Sequence, residues 1–357
     1  MKLLILGGTR FLGRHLAQQA LAAGHQLTLL HRGRSGPGLF PEAEHLIADR
    51  DADLGLLAGR HWDAAIDTSA YVPRQVRAAA AALGERVGQY QLISSISAYA
   101  SYACPGLAED APLQTLADPA TEVVDGTTYG GLKALCEQAA QAGFGGRCLI
   151  VRPGLLVGPH DPSGRFTWWV QRMAAAAAGG EVLAPGDAAA PVQFIDARDA
   201  AAWLLAQAER GSRGACNLTG PARPTTFGEF LETARAALAP AARLTWIDEA
   251  CLLAQGVAPW TELPLWLPRD SAGLHQVSIA RALSLGLRCR PMAQTLQDTA
   301  AWAAAAPAPL PAPPCSGPMR QGVGLAPERE AALLAVWHAA TGPGGGAGRP
   351  SVASASA

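Results

Sequence analysis

Tyr129 and Lys133 stand four residues apart in TYGGLK. On a helix that spacing puts both side chains on one face, so a phenol and an ammonium can act on one bound molecule. A free phenol titrates near pH ~10 and is a poor acid or base at neutrality; a neighbouring cation stabilises the phenolate and brings it into range. Upstream, LISSISAY supplies hydroxyls at Ser94, Ser95 and Ser97. Each can donate a hydrogen bond to a substrate oxygen as charge develops, or simply bond the backbone at a strand end. Nearer the N-terminus, LILGGTRFLG sets Gly7, Gly8 and Gly13 between an apolar run and a helical pattern. Such glycines let backbone N–H groups and a helix N-terminus face a pyrophosphate that side chains would keep away. Together the three segments point to hydride transfer with a nicotinamide, during which Tyr129 exchanges a proton with a carbonyl or secondary alcohol.

About twenty positions beyond such a turn, the dinucleotide fingerprint places a carboxylate on the ribose 2′-hydroxyl. This chain has His31 and Arg32 there, followed by Arg34. With no carboxylate to repel a 2′-phosphate, and with Arg10 able to reach the same corner, the expected cofactor is NAD(P), with NADP preferred.

Those groups need a scaffold. KLLIL, QLTLL, HLIA, DAAID, QYQLIS and RCLIV read as strands. Helical patterns run from Phe11 to Ala23, near Asp53 to Ala58, from Pro73 to just before Gly84, and around Tyr129. The alternation predicts an α/β fold, a doubly wound parallel Rossmann sheet covered on both faces. This cofactor domain is expected over residues 1–152, with a return near 192–220. A smaller mixed C-terminal substrate lobe follows over 153–304, with a short strand at VQFI and helices near Arg198 and Phe227. Thr226 and Glu229 have capping-box spacing for the latter helix. Residues 305–325 read as a proline-rich linker, 326–340 as a short helix and 341–357 as a disordered tail.

Composition narrows the function. The 357 residues carry a net charge of −1 and are 49% apolar, which gives no basic surface for nucleic acid or an anionic membrane. Seven scattered cysteines without a CxxC pair predict neither a disulfide framework nor a metal site, but buried thiols in a reducing compartment. No stretch approaches the ~18 uncharged apolar residues of a membrane span. The expectation is a cytoplasmic protein acting on a small-molecule substrate. In the second half, Phe166, Trp168, Trp169, Trp246, Trp260 and Trp266 either line an apolar pocket or fill a core. His160 and Asp161 could touch substrate or form a turn, and Arg165 could meet an anionic group or solvent.

In this order, the motifs resemble the extended, NAD-dependent epimerase/dehydratase group of the short-chain dehydrogenase/reductase superfamily, over about residues 1 to 304. LILGGTRFLGRHL resembles its cofactor turn and Asp49 in ADRD its adenine-contacting acid. SSISAY resembles the SSxxxY segment; aligning Tyr99 with its tyrosine puts Ser95 in the catalytic slot. YGGLK is similar to YGxxK, VRPGLLVGPHD to the RPxxxxGP segment beside the nicotinamide, and QFIDARDAA to a later strand and helix in which Asp196 and Asp199 read as structural. The resemblance implies catalysis by Ser95, Tyr129 and Lys133, with Lys133 also holding the cofactor ribose. It implies cofactor contacts from Gly7, Thr9, Arg10, Phe11, Leu12, Gly13, His31, Arg32, Asp49, Arg50, Thr68, Ser69, Tyr129, Lys133, Pro153 and Gly154, and a homodimer paired through helices beside the site.

Two departures stand out. Arg10 replaces the central glycine of the family's GxxGxxG, and Gly154 and Leu155 fall where nucleotide-sugar enzymes carry an asparagine, Asn217 being the only asparagine in the chain. The resemblance therefore supports the redox step more firmly than a sugar-nucleotide substrate. A nucleotide-sugar epimerase or dehydratase is the alternative within enzymes. A cofactor-bound regulator or RNA-binding protein is the alternative outside them, since the GGTRF start also resembles plant chloroplast stem-loop RNA-binding relatives.

Overall fold

The structure, a computed structural model, describes residues 1–36, 38–52, 54–305 and 323–341. Most of the expected linker and tail lies outside the described residues. The chain opens with β1 (Lys2–Leu6), α1 (Phe11–Ala22), β2 (Gln26–His31) and β3 (Glu44–Ile47). It continues through β4 (Trp62–Asp67), α2 (Pro73–Leu83), β5 (Val87–Ile93), α3 (Tyr129–Phe144) and β6 (Cys148–Pro153). Pro73 begins α2 where its missing N–H costs nothing, and the Gln75 side chain accepts from the Tyr71 and Val72 N–H groups ahead of it. The helix expected near Asp53 to Ala58 is instead one 3₁₀ turn, Gly55–Leu57. Gly59, at φ +73°, turns the chain before a longer helix can form.

Beyond β6 come β7 (Leu156–Val157), α4 (Arg165–Ala175), β8 (Glu181–Pro185), β9 (Pro191–Val192), β10 (Ile195–Asp196), α5 (Ala197–Arg210) and β11 (Gly214–Leu218). They are followed by β12 (Thr225–Thr226), α6 (Phe227–Leu238), β13 (Arg243–Ile247), α7 (Glu249–Ala254), α8 (Ala280–Ser284), α9 (Met292–Ala305) and α10 (Pro327–Thr341). VQFI is not one strand. The Gln193 amide bonds the Val277 backbone on both sides, which divides the segment into β9, paired with β12, and β10, paired with β7.

Seven strands form one parallel sheet in the order β11-β6-β5-β4-β1-β2-β3. Successive β1 side chains face opposite sides. Leu3 and Ile5 join the core beneath α1 and α5. Leu4 and Leu6 join the core beneath α2 and α3, with Tyr90 stacked on Phe144. The second lobe has its own core, in which Phe166, Trp169 and Trp266 are at most 2% exposed, so these three aromatics fill the interior. The helix α6 carries the expected capping box between Thr226 and Glu229. Leu333 and Leu334 place α10 in the same lobe core. Buried Glu330 accepts from the Leu183 N–H at 2.9 Å and pairs with Arg172.

Candidate active site

The strand order reverses between β1 and β4, which opens a crevice at the C-terminal ends of the strands. The residues expected to hold the cofactor or act in catalysis sit at or just after one of those ends, or in the first turns of α1 and α3. Gly7 to Gly13 follow β1, His31 and Arg32 end and follow β2, and Asp49 and Arg50 follow β3. Thr68 and Ser69 follow β4, Ser95 follows β5, and Pro153 and Gly154 sit at the end of β6.

The first turn is tight enough to need its glycines. A Cβ on Gly13 would lie 2.6 Å from the Gly8 nitrogen, and one on Gly7 would lie 2.3 Å from the Thr68 hydroxyl. Both the Thr68 and the Ser69 hydroxyls donate to the Leu6 carbonyl, clipping β4 to this turn. Arg10, the apparent departure, occupies the N-cap of α1 at φ −132°, an extended conformation open to any residue. Its neighbour Phe11 takes φ 34°, and Leu12 is buried against the sheet. The first turn of α1 has neither a side-chain cap nor an acidic residue. A close backbone approach at an acid-free helix start fits a pyrophosphate.

The side of the crevice beyond β2 and β3 is more heterogeneous. Thr9 is buried, with its hydroxyl 2.8 Å from that of Ser35. Arg32 is exposed, and His31 is bonded to His45. Asp49 accepts from the Asp51 N–H. Arg50 is turned inward: its guanidinium forms two bonds to Asp67, at 2.6 and 2.8 Å, and a third to Ser69. Asp67 is fully buried and needs that partner. Burial alone would raise its pKa; the Arg50 charge and hydrogen bonds, with the Tyr90 hydroxyl and the Ser69 N–H, overcome this and hold it below the ordinary carboxylate value.

At the other side, Lys133 is 5% exposed. Its ammonium donates to the Ala70 carbonyl at 2.6 Å and the Ile93 carbonyl at 2.9 Å. It also lies 5.1 Å from the Tyr71 ring centre and 5.8 Å from that of Tyr129. Carbonyl dipoles and aromatic faces thus compensate a buried cation. The Ile93 carbonyl ties Lys133 to a point two residues before Ser95, whose hydroxyl caps the turn Ile96–Ala98 by accepting from the Ser97 N–H. A Cβ on Gly130 would lie 2.1 Å from the Ser97 carbonyl, so the glycine after Tyr129 lets α3 close onto the serine segment. Gly154 performs the same service against Thr219, at 2.5 Å.

A buried polar network beneath these groups escaped sequence reasoning. Glu137, one turn beyond Lys133, accepts from Ser94 at 2.5 Å and from Arg152 at 2.9 and 2.7 Å. Arg152 also donates to the Tyr99 hydroxyl, which donates to Asn217. Burial works against the Arg152 charge, yet the Glu137 hydrogen bonds and charge hold its pKa above the ordinary value. The lone asparagine is therefore fully buried and anchors the tyrosine of SSISAY. The signals were a glutamate on the Lys133 face and an arginine closing an apolar strand.

Other candidates lie apart from this cluster. His160 packs near His15 and Trp302, beside a hollow of about 410 Å³ lined by α1, Pro159, Arg198 and Arg290. Asp161 is buried on Ser163, and Arg165 stacks over Trp260. Asp196 and Asp199 pair with Arg198 and Arg290. The thiols are not uniformly buried: Cys136, Cys148 and Cys216 are, Cys251 and Cys289 are half-buried, Cys104 is exposed, and Cys315 lies outside the described residues. Among the described residues, no group of three His, Cys, Asp or Glu could hold a metal ion, and no helix is long and apolar enough to cross a membrane.

No curated protein sequence matches the chain. Among solved structures, UDP-glucuronic acid 4-epimerase from Bacillus cereus in complex with NAD superposes with a TM-score of 0.61 at 15% identity, covering 85% of this chain and 96% of that one. The Bordetella bronchiseptica enzyme WbmH in complex with NAD+ gives 0.61 at 16%, covering 84% and 97%. UDP-N-acetylglucosamine 4-epimerase from Bacillus cereus gives 0.61 at 17%, covering 88% and 99%. At such identities the likeness establishes a shared fold. The sequence profile of the NAD dependent epimerase/dehydratase family matches residues 3–218, well over half of the chain. With the switch-point crevice and its glycine turn, this match shows that the chain belongs to the NAD dependent epimerase/dehydratase family.

Proposed function

We propose that this chain is an NAD(P)-dependent enzyme that transfers hydride to or from a carbonyl or secondary alcohol, with Tyr129 as the acid/base. The observation that carries the reading is the buried Lys133 ammonium beneath the Tyr129 ring, bonded to the Ile93 carbonyl close to Ser95. The nicotinamide, when bound, supplies or accepts the hydride. Lys133 favours the phenolate of Tyr129 and so lowers the cost of moving its proton. The Ser95 hydroxyl donates to the substrate oxygen that gains charge, and the Ile96–Ala98 turn fixes its position. Gly7, Gly8, Gly13 and the start of α1 hold the pyrophosphate. Arg10 and Arg32, both exposed at a corner without a carboxylate after β2, favour a 2′-phosphate, hence NADP.

A second reading, in which the hydride returns to the same sugar and the cofactor is regenerated, is favoured by the family match and by neighbours whose names specify UDP-sugar epimerases. Cofactor turnover separates the two. Net NADPH or NADH consumption with a panel of carbonyl compounds supports the first; isomerised nucleotide sugar without net redox supports the second. In either, Tyr129→Phe should lower kcat by about 10²–10⁴ while cofactor affinity persists. Full activity in Tyr129→Phe would overturn both. Arg10→Ala with Arg32→Ala should weaken NADPH more than NADH; equal losses would remove the 2′-phosphate role.

A further inference from the structure

The end of β2 carries two imidazoles in a hydrogen-bonded chain whose protons the backbone fixes. The Gly33 N–H, which can only donate, bonds the His31 Nδ1 at 3.1 Å. The Phe40 carbonyl, which can only accept, bonds the His45 Nε2 at 3.0 Å. Between them, the His31 Nε2 lies 2.8 Å from the His45 Nδ1. One arrangement satisfies all three contacts: both rings are neutral and both carry their proton on Nε2. His31 then donates to His45, and His45 donates to Phe40.

Protonating His31 sets an N–H against the Gly33 N–H, and protonating His45 sets one against the His31 Nε2–H. Each breaks a link. The chain joins Gly33, just past β2, to Phe40, just before β3, a positive-φ residue at 57°. Between these points Ser35 reaches the Thr9 hydroxyl on the glycine turn, and Arg32 and Arg34 flank Gly33. Whatever sets the positions of Gly33 and Phe40 therefore sets the corner that meets the adenosine ribose in this type of fold.

We propose that His31 and His45 are positioning residues for the adenosine end of the cofactor, acting through the Gly33 N–H and the Phe40 carbonyl and only while both rings are neutral. The proposal rests on the cofactor reading above. Other charged groups on the surrounding elements are Arg32 and Arg34 after β2, Arg10 on the β1–α1 turn, Glu42 and Glu44 at the approach to and start of β3, and Asp49 beyond it. Glu44 is engaged by Arg60 and Thr28. Burial, then the neighbouring His45, hold His31 below its ordinary 6.5. A proton that must leave before binding weakens binding by up to about tenfold per pH unit below its pKa. Acid should therefore loosen the cofactor.

The test measures NADH affinity of the full chain from pH 8 to 5; NADH is chosen because it lacks a 2′-phosphate that would itself titrate. Wild type should lose more than about twofold in affinity between pH 7.5 and 5. His31→Asn keeps an acceptor for Gly33, and His45→Gln keeps a donor for Phe40, but neither side chain titrates. Whatever its affinity at pH 8, the double variant should stay within about twofold of that value at pH 5. Long-range ¹H–¹⁵N spectra of the wild type, assigned with the single variants, should show both rings as Nε2–H tautomers at pH 8. An Nδ1–H tautomer, a pH-independent wild-type affinity, or an equal slope in the double variant overturns the role of the pair. Failure to bind either NADH or NADPH at pH 8 overturns the cofactor reading as well, which separates the two failures.

Discussion

Replacing Arg152 by methionine should destabilise the fold far more than replacing Arg152 and Glu137 together. Glu137 is 2% exposed and Arg152 4%. The carboxylate receives two bonds from Arg152 and one from Ser94. Arg152→Met removes two bonds to the Glu137 carboxylate, each about 1.5–3 kcal/mol, or about 3–6 kcal/mol together, besides the bonds to the Tyr99 hydroxyl and the Glu109 carbonyl. Independently, stripping one partner from a buried ion pair costs about 3–5 kcal/mol, because the remaining charge stays out of water. The two routes agree on about 3–5 kcal/mol, against a total stability of about 5–15 kcal/mol for a typical domain. In Arg152→Met with Glu137→Leu no charge is stranded, Tyr99 keeps its bond to Asn217, and the loss should be at least about 2 kcal/mol smaller. Urea titrations of wild type, both singles and the double give the coupling directly. A single-variant cost below about 1 kcal/mol, or a double-variant cost equal to the sum of the singles, would refute the buried-charge argument.

Gly13→Ala would place a Cβ 2.6 Å from the Gly8 nitrogen; because that atom is backbone, the turn must open, and affinity for NADH and NADPH should fall together, with unchanged titrations contradicting this. His275 is 3% exposed, accepts from the Gln193 N–H, donates to the Leu265 carbonyl, and burial lowers its pKa from 6.5 to about 4. Between those values the unfolded chain binds the extra proton, so stability falls as pH drops from 6.5 towards 4, by up to about 3 kcal/mol from this group. His275→Gln should flatten that slope in urea titrations, and an unaltered slope would refute the assignment. Glu330→Ala leaves the Leu183 N–H and the Arg172 guanidinium without their partner. It should cost about 1–3 kcal/mol, read as a lower thermal midpoint, and an unchanged midpoint would show that α10 is not anchored there.

Six of the seven strands were legible as short runs punctuated by glycine, proline, serine or charged residues, whereas β11 was expected only as a return near 192–220; α2, from Pro73 to Gly84, and the end of α3 at Gly145 have local causes. The Thr226 and Glu229 capping box shows the same locality. Features set by distant partners were not legible. The division of VQFI depends on Gln193 meeting Val277, 84 positions away. Glu330 looks like an ordinary acidic residue in the first turn of a helix, and only the fold brings it to Leu183, 147 positions earlier.

The same division runs through the candidate site, and it explains why Arg50 was placed by resemblance and then found turned inward. Tyr129 and Lys133 announce themselves by i, i+4 spacing. Ser94, Ser95 and Ser97 do so by their place after a strand, and the resemblance, through Tyr99, picks out Ser95 among them. Arg50 can be placed only by asking who neutralises Asp67, a carboxylate at the end of DAAID, a strand flanked on both sides in a parallel sheet. Such strands are buried on both faces, so any charge on them must find a partner from elsewhere in the chain. Asp67 finds Arg50, and Arg152, closing CLIVRP, finds Glu137. Both pairs stand at the C-terminal ends of strands, one bonded to Ser69 and the other touching Ser94 through Glu137. In a parallel sheet of this kind, a charged residue closing an apolar strand therefore marks the ends where chemistry is placed, and the residue it pairs with is the one that sequence spacing leaves hidden.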